Sequence, residues 1–399
     1  MAQKGSLTGY KVLDATHFVA GPYCTKLLAG YGASVIKIEK PGTGDGARRL
    51  GPFAGDDPHI EKSLLYSFLN TDKKSITLNL KTPTGVDIFK RLLEDADILI
   101  ENFEPRVMPS LGLDYDTLSK INPRLVMTSI TNFGQSGPYR DYKAAEITEY
   151  ALSGLMKITG EAGREPLKLG LDVAQLTGGQ NAVPPTLASL YSSQFSGKGC
   201  HIDISIMDYC SALLSHQTGL YSAIGHITER MGNLNQKGHP WGNFPCRDGW
   251  VTIAAAATSF AYVAEMMGIP ELKDPKFETP ISRLANRDEL DSLMLPWLIE
   301  HGKKDPFEYL NTKRRCAAGW VRTAEDLINC PQLKSQEYYS ILAHPVIGKA
   351  VYPGGVCKMN ETPWQINRAP LLGEHNREIF AQLGYTKGDL IKLAQSGII

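Results

Sequence analysis

The sequence carries no net charge, since 42 Lys and Arg residues balance 42 Asp and Glu residues in a chain of 399. A neutral chain lacks the long-range positive field that is typical of proteins that bind nucleic acids or anionic membranes. We therefore expect no nucleic-acid partner. Any anionic ligand has to be held by a local pocket.

Paired cysteines and long apolar runs are also missing. The seven cysteines are scattered, odd in number and form no Cys-x-x-Cys motif, so they predict neither a disulfide framework nor a zinc site. No segment approaches the ~20 apolar residues of a membrane span, and the amino terminus has no apolar run typical of a signal peptide. We expect a soluble, cytoplasmic protein with no membrane partner and no bound metal.

Common catalytic motifs are absent too: the sequence contains no Gly-x-Ser-x-Gly elbow and no His-Glu-x-x-His helix. Gly42-Thr-Gly-Asp-Gly46 follows a predicted strand, but the Lys of a phosphate-binding P-loop does not follow it. We predict a plain turn there. The neighbouring Lys40, Arg48 and Arg49 could hold phosphates, although a solvated surface is the commoner role of such residues.

Alternating short β-branched runs and longer amphipathic runs indicate βαβ units around a parallel sheet in the first half of the chain. The predicted strands are residues 35–39, 75–80, 97–101 and 125–130, and the predicted helices between them are 22–31 and 84–94. Polar or glycine-rich sequence follows each strand. In open α/β sheets, ligands bind in the loops beyond the carboxyl ends of strands.

The second half of the chain predicts a smaller unit. A strand at 201–205 and a helix at 207–218 precede a glycine-containing connection at 225–249, which leads to a strand at 250–255 and helices near 259–267 and 286–301. A last helix is predicted at 374–383. The sequence thus divides into a large domain (1–220), a small domain (221–325) and a return to the large domain (326–399).

Ordered segments along the whole chain carry a family resemblance. They are Val12-Leu-Asp14, Ala20-Gly-Pro22, Gly32 to Glu39, Asn79-Leu-Lys81, Glu101-Asn-Phe103, Ser153-Gly154, Gly197-Lys-Gly199, Ala369 to His375 and Ser396 to Ile399. Together they resemble the class III coenzyme A transferases, the family of formyl-CoA transferase and carnitine CoA-transferase. The resemblance implies a Rossmann-like large α/β domain with a parallel sheet, a smaller α+β domain and two interlocked chains. It implies CoA or acyl-CoA as substrate, with no permanently bound cofactor.

The resemblance also implies which residues contact CoA. The positions that match are His17, Phe18, Ala20, Lys40, Leu78, Lys81, Asn102, Phe103 and Lys143, with Arg106 as a further partner. Lys81 and Lys143 are the expected phosphate partners. Ser110 stands where the family usually has an arginine. Taken alone, a packed histidine is the commoner outcome at the position of His17, but its place before a predicted helix N-terminus also makes it a fair ligand contact.

The family nucleophile is an aspartate, and matching Gly170, Gly179 and Gly197-Lys-Gly199 without gaps puts Gln175 in its place. A carboxamide is a poor nucleophile, because its lone pairs are delocalised and it carries no charge. Asp172 is the nearest substitute, but the flanking glycines predict a loop that leaves it several ångströms out of line. Pro184-Pro185 are expected to bend or delay the following helix.

Two other family positions that touch the chemistry differ, while one is kept. Val19 stands where formyl-CoA transferase has a glutamine, and Ala145 stands where a tyrosine or histidine is common. Glu146 is kept.

Three hypotheses follow. The first is a catalytically silent subunit that pairs with a homologous chain carrying the aspartate. In such a two-chain member of the family, from anaerobic toluene degradation, succinyl-CoA is the donor and an aryl-substituted succinate is the acceptor. The second is an active homodimeric transferase that uses Asp172 or an unrecognised group. The third is an acyl-CoA racemase of the same fold, which would need an acid and base pair that Ala145 and Gln175 do not supply.

Overall fold

The structure is a computed structural model that describes residues 5–235, 238–255, 258–313, 316–355 and 357–399, without the side chain of residue 313. The chain forms two compact units. One comprises the residues up to 155 together with 168–226 and 335–399, and the other comprises 156–167 and 227–334. The boundaries predicted from the sequence, after 220 and after 325, lie a few residues earlier. Segment 156–167 groups with the second unit, although the sequence analysis placed it in the large domain.

In the described part of the first unit, six strands form one parallel sheet. They are β1 (Lys11–Ala15), β2 (Ser34–Glu39), β3 (Lys73–Thr77), β4 (Ile98–Glu101), β5 (Val126–Thr131) and β6 (Cys200–Ser205). Their order is β3-β2-β1-β4-β5-β6, and each neighbouring pair is parallel. The order reverses between β1 and β4, which is where open parallel sheets form a ligand crevice. The predicted α/β fold is confirmed.

The remaining strands are antiparallel. The second unit has a sheet of β7 (Trp241–Cys246), β8 (Gly249–Ala254) and β9 (Ala317–Trp320), and the first unit has a hairpin of β10 (Tyr339–His344) and β11 (Gly348–Pro353). Strand β7 lies inside the segment 225–249 that was predicted as a connection. Only Phe244 and Cys246 of this strand are buried, so the alternation of apolar residues was too short to indicate it.

The helices of the described segments are as follows. They are α1 (Ala20–Gly30), α2 (Leu64–Leu69), α3 (Pro83–Leu93), α4 (Val107–Ser110), α5 (Tyr115–Ile121), α6 (Glu146–Leu152), α7 (Val173–Ser196), α8 (Ile206–Ala212), α9 (Ser215–Ile224), α10 (Phe260–Met267), α11 (Pro280–Ala285), α12 (Arg287–Glu300), α13 (Lys304–Glu308), α14 (Ala324–Ile328), α15 (Pro331–Ser335), α16 (Asn376–Gln382) and α17 (Lys387–Gln395). None of the described helices has the length and apolar character needed to cross a membrane. The helix predicted at 207–218 is two helices, α8 and α9.

The core of the first unit lies between the sheet and the helices that follow its strands. Residues 98–100 of β4 are fully buried and apolar, as expected of a strand covered on both faces. Helix α3 buries one apolar face, with Ile88, Phe89, Leu92 and Leu93 in the same core cluster. Thr82 begins this helix by accepting a hydrogen bond from the Gly85 amide, and Pro83 fits its first turn. The second unit has a separate core.

Buried ion pairs lie next to β1. Lys37 Nζ is 2.8 Å from Asp45 and 3.9 Å from Asp14, and Lys73 Nζ is 2.9 Å from Asp14. Burial raises the pKa of Asp14, but Lys37, Lys73 and two threonine hydroxyls outweigh it and lower the pKa to about 2. These groups are fully paired inside the sheet, so they hold the loops after β1 and β2 in place.

Arg48 was predicted to lie on a solvated surface, and this prediction is wrong. Its guanidinium is fully buried, lies 2.7 Å from Glu39 and 2.6 Å from Glu61, and donates to the Tyr66 hydroxyl. Lys40 and Arg49 are exposed, as expected. Arg48 therefore has a structural role and is not available to a phosphate.

The loop predicted around position 175 is wrong, because this position lies in helix α7. The helix begins directly after Asp172 and includes both Gln175 and Gly178-Gly179. A Cβ on Gly179 would lie 2.1 Å from the Ala20 carbonyl oxygen, so these glycines serve close helix packing rather than a turn.

Pro184 and Pro185 also lie inside this helix and do not interrupt it. Each removes one helical hydrogen bond, at the carbonyls of Gln180 and Asn181. Both of these residues are exposed, so water can satisfy the freed carbonyls. The predicted delay of the helix is therefore wrong.

Candidate functional site

The loops after β1 and β4 meet at the switch point of the sheet. The His17 amide donates to Asn102 Oδ1 at 2.8 Å, and Asn102 Nδ2 donates back to the His17 carbonyl at 2.8 Å. The ring of Phe103 meets the His17 ring edge to face, with centroids 5.2 Å apart. Burial lowers the pKa of His17, so the imidazole is neutral at pH 7. His17, Asn102 and Phe103, three of the predicted CoA contacts, thus hold one another in place. We call these three residues the corner at the switch point.

Phe18 stands beside this corner in a left-handed backbone conformation with φ of 63°. Its amide donates to Asp45 Oδ1 at 2.8 Å, and the same oxygen accepts from the Ala47 amide. A Cβ on Gly46 would lie 2.3 Å from the Phe18 ring. The turn at 42–46 therefore holds Phe18, whose side chain remains exposed. An exposed aromatic ring at a ligand edge can stack on a base or cover a ligand.

The other predicted contacts also follow strand ends. Lys40 follows β2, Leu78 and Lys81 follow β3, and Ala20 begins α1 after β1. Leu78 and Ala20 are buried, whereas Lys40 and Lys81 are exposed and have no ion-pair partner among the described residues. All of these residues lie at the carboxyl edge of the sheet, because parallel strands end at the same edge. Lys40 and Lys81 are cations available to a phosphate.

Arg106 and Lys143 differ from these lysines because each is already paired. Arg106 Nε and Nη2 lie 2.8 and 2.6 Å from the two carboxylate oxygens of Asp141, and Lys143 forms an ion pair with Glu104. The pairs join the loop after β4 to the loop after β5. Both cations were predicted from the sequence, whereas their acidic partners were not.

A cavity of about 200 Å³ lies between these loops and the start of α7. Its lining includes Asn102, Phe103, Arg106, Asn132, Tyr142 and Gln175. Gln175, which was predicted to stand at the nucleophile position, and part of the predicted CoA contact set therefore share one cavity. Asp172 is not among the described residues that line it.

Gln175 is held by two glutamates of α6. Glu146 accepts the backbone amides of Ala174 and Gln175 at 2.9 and 3.0 Å, which caps the first turn of α7. Asp172, at the N-cap position, makes no such bond. The side-chain amide of Gln175 lies 2.8 and 2.7 Å from the two oxygens of Glu149. Glu146 thus orients the helix and Glu149 orients the side chain.

Glu149 is fully buried. Burial raises its pKa to about 7, because the hydrogen bond from Gln175 only partly offsets desolvation and the nearby charges of Glu146 and Asp172. An aspartate at position 175 could not donate to this carboxylate when ionised. The site is thus built around a glutamine rather than a carboxylate.

Val19 and Ala145, which were predicted to differ from the family at positions that touch the chemistry, provide no acid, base or nucleophile. Val19 is buried next to α1, and Ala145 precedes α6 with only a methyl side chain. Ser110, on α4, is exposed and bonds within its own turn to the Val107 carbonyl. A racemase would need groups at these positions that exchange a proton, and the residues present cannot do so.

Glu101 is a further site residue that the sequence analysis used only as part of a motif. It is buried at the end of β4 and accepts the Phe103 amide at 2.9 Å. Burial raises its pKa to about 7, against hydrogen bonds from Ser129 and the Phe103 amide. Ser129 in turn lies 2.8 Å from His201 Nε2. Glu101 thus fixes the turn that presents Asn102 and Phe103.

Comparisons with known proteins agree on one family. The model of CoA-transferase family III matches residues 7–376. A succinyl-CoA–D-citramalate CoA-transferase of Chloroflexus aurantiacus is 35% identical over 98% of both chains, and a formyl-CoA:oxalate CoA-transferase of Streptomyces avermitilis is 33% identical over 99% of both. The crystal structure of a CaiB/BaiF family protein from Brucella suis superposes with a TM-score of 0.88 at 32% identity, over 96% of this chain and 100% of that one.

Proposed function

Because this chain belongs to CoA-transferase family III, we propose that it is the subunit without a nucleophile in a heteromeric CoA-transferase. The enzyme moves CoA from an acyl-CoA, succinyl-CoA by preference, to a carboxylic acid such as an aryl-substituted succinate. The proposal includes an interlocked pair of this chain with a homologous subunit that carries the aspartate.

One observation carries the proposal: the side chain at position 175 is an amide, and its nitrogen is bound by a buried carboxylate. In the family reaction, an aspartate carboxylate attacks the thioester carbonyl and expels CoA thiolate, which leaves a mixed anhydride. The thiolate then attacks the aspartyl carbonyl and expels the donor acid. Gln175 offers neither the negative charge nor a free lone pair for the first step, and its amide is held by Glu149.

The donor is proposed from relatives. The Chloroflexus aurantiacus relative is named for succinyl-CoA, and a human relative, 32% identical over 98% of this chain and 90% of its own, is named succinyl-CoA:glutarate CoA-transferase. The aryl-substituted acceptor comes from the likeness to the two-chain enzyme of anaerobic toluene degradation. This acceptor is proposed because the two proteins resemble the same family, and not because the shape of the cavity matches it.

An active homodimer that uses Asp172 has less support. Asp172 stands outside the helix that carries position 175 and does not line the cavity among the described residues. Because about 1 Å of misplacement already costs a large part of the rate, a side chain one helical turn away is a poor substitute.

Co-expression with a family homologue that carries the aspartate tests the proposal. The native complex is incubated with succinyl-CoA and each chain is examined by mass spectrometry for a CoA adduct. We expect a stable heteromeric complex with the adduct on the homologous chain only. An adduct on this chain, or full activity of a homodimer of this chain, would refute the proposal.

A further inference from the structure

At the rim of the cavity, two acidic residues pair with two of the four cations that were predicted to contact CoA. Glu104 and Arg106 follow β4, and Asp141 and Lys143 follow β5. Glu104 pairs with Lys143, and Asp141 pairs with Arg106. Each pair therefore crosses from one loop to the other. We name these two pairs the rim clasp.

Arg106 contacts Asp141 with the same geometry that it would use to contact a phosphate. A guanidinium presents two parallel N–H groups to the two oxygens of a carboxylate, and it presents the same two groups to a phosphate. Nε and Nη2 of Arg106 are the donors, at 2.8 and 2.6 Å from Asp141. Arg140 Nη2 lies 3.5 Å from the same carboxylate. A phosphate that binds Arg106 has to displace Asp141 or bind beside its negative charge.

The loop after β5 is held by aromatic packing that does not depend on the clasp. The rings of Tyr139 and Tyr142 stack with centroids 5.0 Å apart, and the Phe133 ring meets both edge to face. Tyr142 lies between Asp141 and Lys143 in the sequence. Removing the acidic charges should therefore leave the loop in place and free the two cations.

We infer that Glu104 and Asp141 are specificity-determining residues that weaken the binding of CoA phosphates to this chain. The inference rests on the proposed CoA-transferase role, in which CoA approaches the carboxyl edge of the sheet. Lys40 and Lys81 remain unpaired among the described residues, so the clasp lowers the affinity without abolishing it.

The expected effect is modest because the pairs are exposed. The side chains of Arg106 and Asp141 are 73% and 43% exposed, and those of Lys143 and Glu104 are 79% and 67% exposed. Exposed ion pairs change equilibria by less than about fivefold. We expect about threefold tighter binding of CoA for each pair removed, and roughly tenfold for both.

Isothermal titration of CoA into the full chain tests the inference, with Glu104→Gln, Asp141→Asn, the double variant and Glu94→Gln. The first two substitutions keep the shape of each side chain and remove its charge. Glu94, at the end of α3, is exposed and provides the same change of net charge far from the rim. Pantetheine, which has the thiol arm of CoA but no phosphate, is the second probe. Thermal unfolding of each variant verifies that it is folded.

The inference holds if the double variant binds CoA roughly tenfold tighter, if Glu94→Gln does not, and if pantetheine affinity stays unchanged. The gain should also vanish in about 1 M salt, where charges are screened beyond about 3 Å. Equal CoA affinity of wild type and double variant overturns the inference and leaves the proposed function standing. If no variant binds CoA, the inference is overturned, and so is the expectation that this chain binds CoA. The adduct experiment on the complex remains a separate test of the silent-subunit role.

Discussion

The side-chain nitrogen of Gln175 lies within 2.8 Å of both carboxylate oxygens of Glu149. Glu149 has no exposed surface, so this amide is the donor that offsets part of the cost of its burial. The two residues come from different helices, α7 and α6. The side chain at position 175 therefore influences the pKa of Glu149 as well as its own reactivity.

Gln175→Asp should destabilise the chain at alkaline pH and should not restore turnover. The change removes the donor to Glu149 and places two carboxylates side by side, which costs about 2–4 kcal/mol when both are ionised. Urea unfolding followed by circular dichroism at pH 8 measures this loss. At pH 5 it should be smaller, because one carboxylate then carries a proton.

The double variant Gln175→Asp with Glu149→Gln is the matched control, because a glutamine at 149 donates to the new carboxylate. It should regain most of the stability lost at pH 8. If Gln175→Asp alone is as stable as wild type at pH 8, the contact between Gln175 and Glu149 does not contribute to the stability of the folded chain.

Glu149→Gln alone should change how stability depends on pH. The pKa of Glu149 is about 7 in the folded chain and 4.5 is its ordinary value, so the unfolded chain releases this proton at lower pH. The wild type therefore loses stability as pH rises from about 4.5 to 7, and the variant lacks this loss. Relative to wild type, Glu149→Gln should gain roughly 2 kcal/mol between pH 5 and pH 8. Unfolding curves of the two proteins that stay parallel over this range would contradict the assignment.

The chain purified alone should not transfer CoA between succinyl-CoA and carboxylic acids. No acyl-enzyme should be trapped by hydroxylamine, because the amide at 175 cannot form an anhydride. Asp172→Ala should leave this result and the stability unchanged. Turnover by the lone chain that Asp172→Ala abolishes would instead support the active homodimer.

Asn102→Ala should loosen the corner at the switch point. It leaves the His17 amide and carbonyl without partners, at a cost of about 1–3 kcal/mol in the free energy of unfolding, and should weaken CoA binding. Asn360→Ala, the same change at an exposed asparagine outside the predicted CoA contacts, serves as control and should alter neither quantity. Equal CoA affinity of wild type and Asn102→Ala would show that CoA does not use this corner.

The sheet was readable from the sequence because short β-branched runs alternate with amphipathic ones, and β4 and β5 are buried along their whole length. Helix α3 was readable because Val86, Ile88, Phe89, Leu92 and Leu93 recur at helical spacing, whereas Thr82 and Pro83, which begin it, were not used as signals. Around position 175 the local signals misled, since Gly178-Gly179 and Pro184-Pro185 are typical of turns and breaks. There, tertiary packing against Ala20 decides the conformation, and a single sequence does not reveal such packing.

The acidic members of the site were the other omission. Glu149 lies three residues after Glu146, which places both on one face of a helix, and this spacing was the signal that could have found it. Glu104 and Asp141 gave no such signal, because their partners lie on a different loop and are close only in the folded chain. Interpretation of charged residues one by one therefore identified cations and missed what neutralises them.

The docking of α7 on α1 through Gly179 has a consequence for how such a chain can change over time. The contact is made by backbone atoms one turn beyond position 175, so it is indifferent to the side chain that position carries. Selection for folding acts on Gly179, whereas selection for chemistry acts on residue 175. In a gene copy that is no longer selected for chemistry, residue 175 can change while Gly179 is kept. Its product can then lose reactivity and still fold.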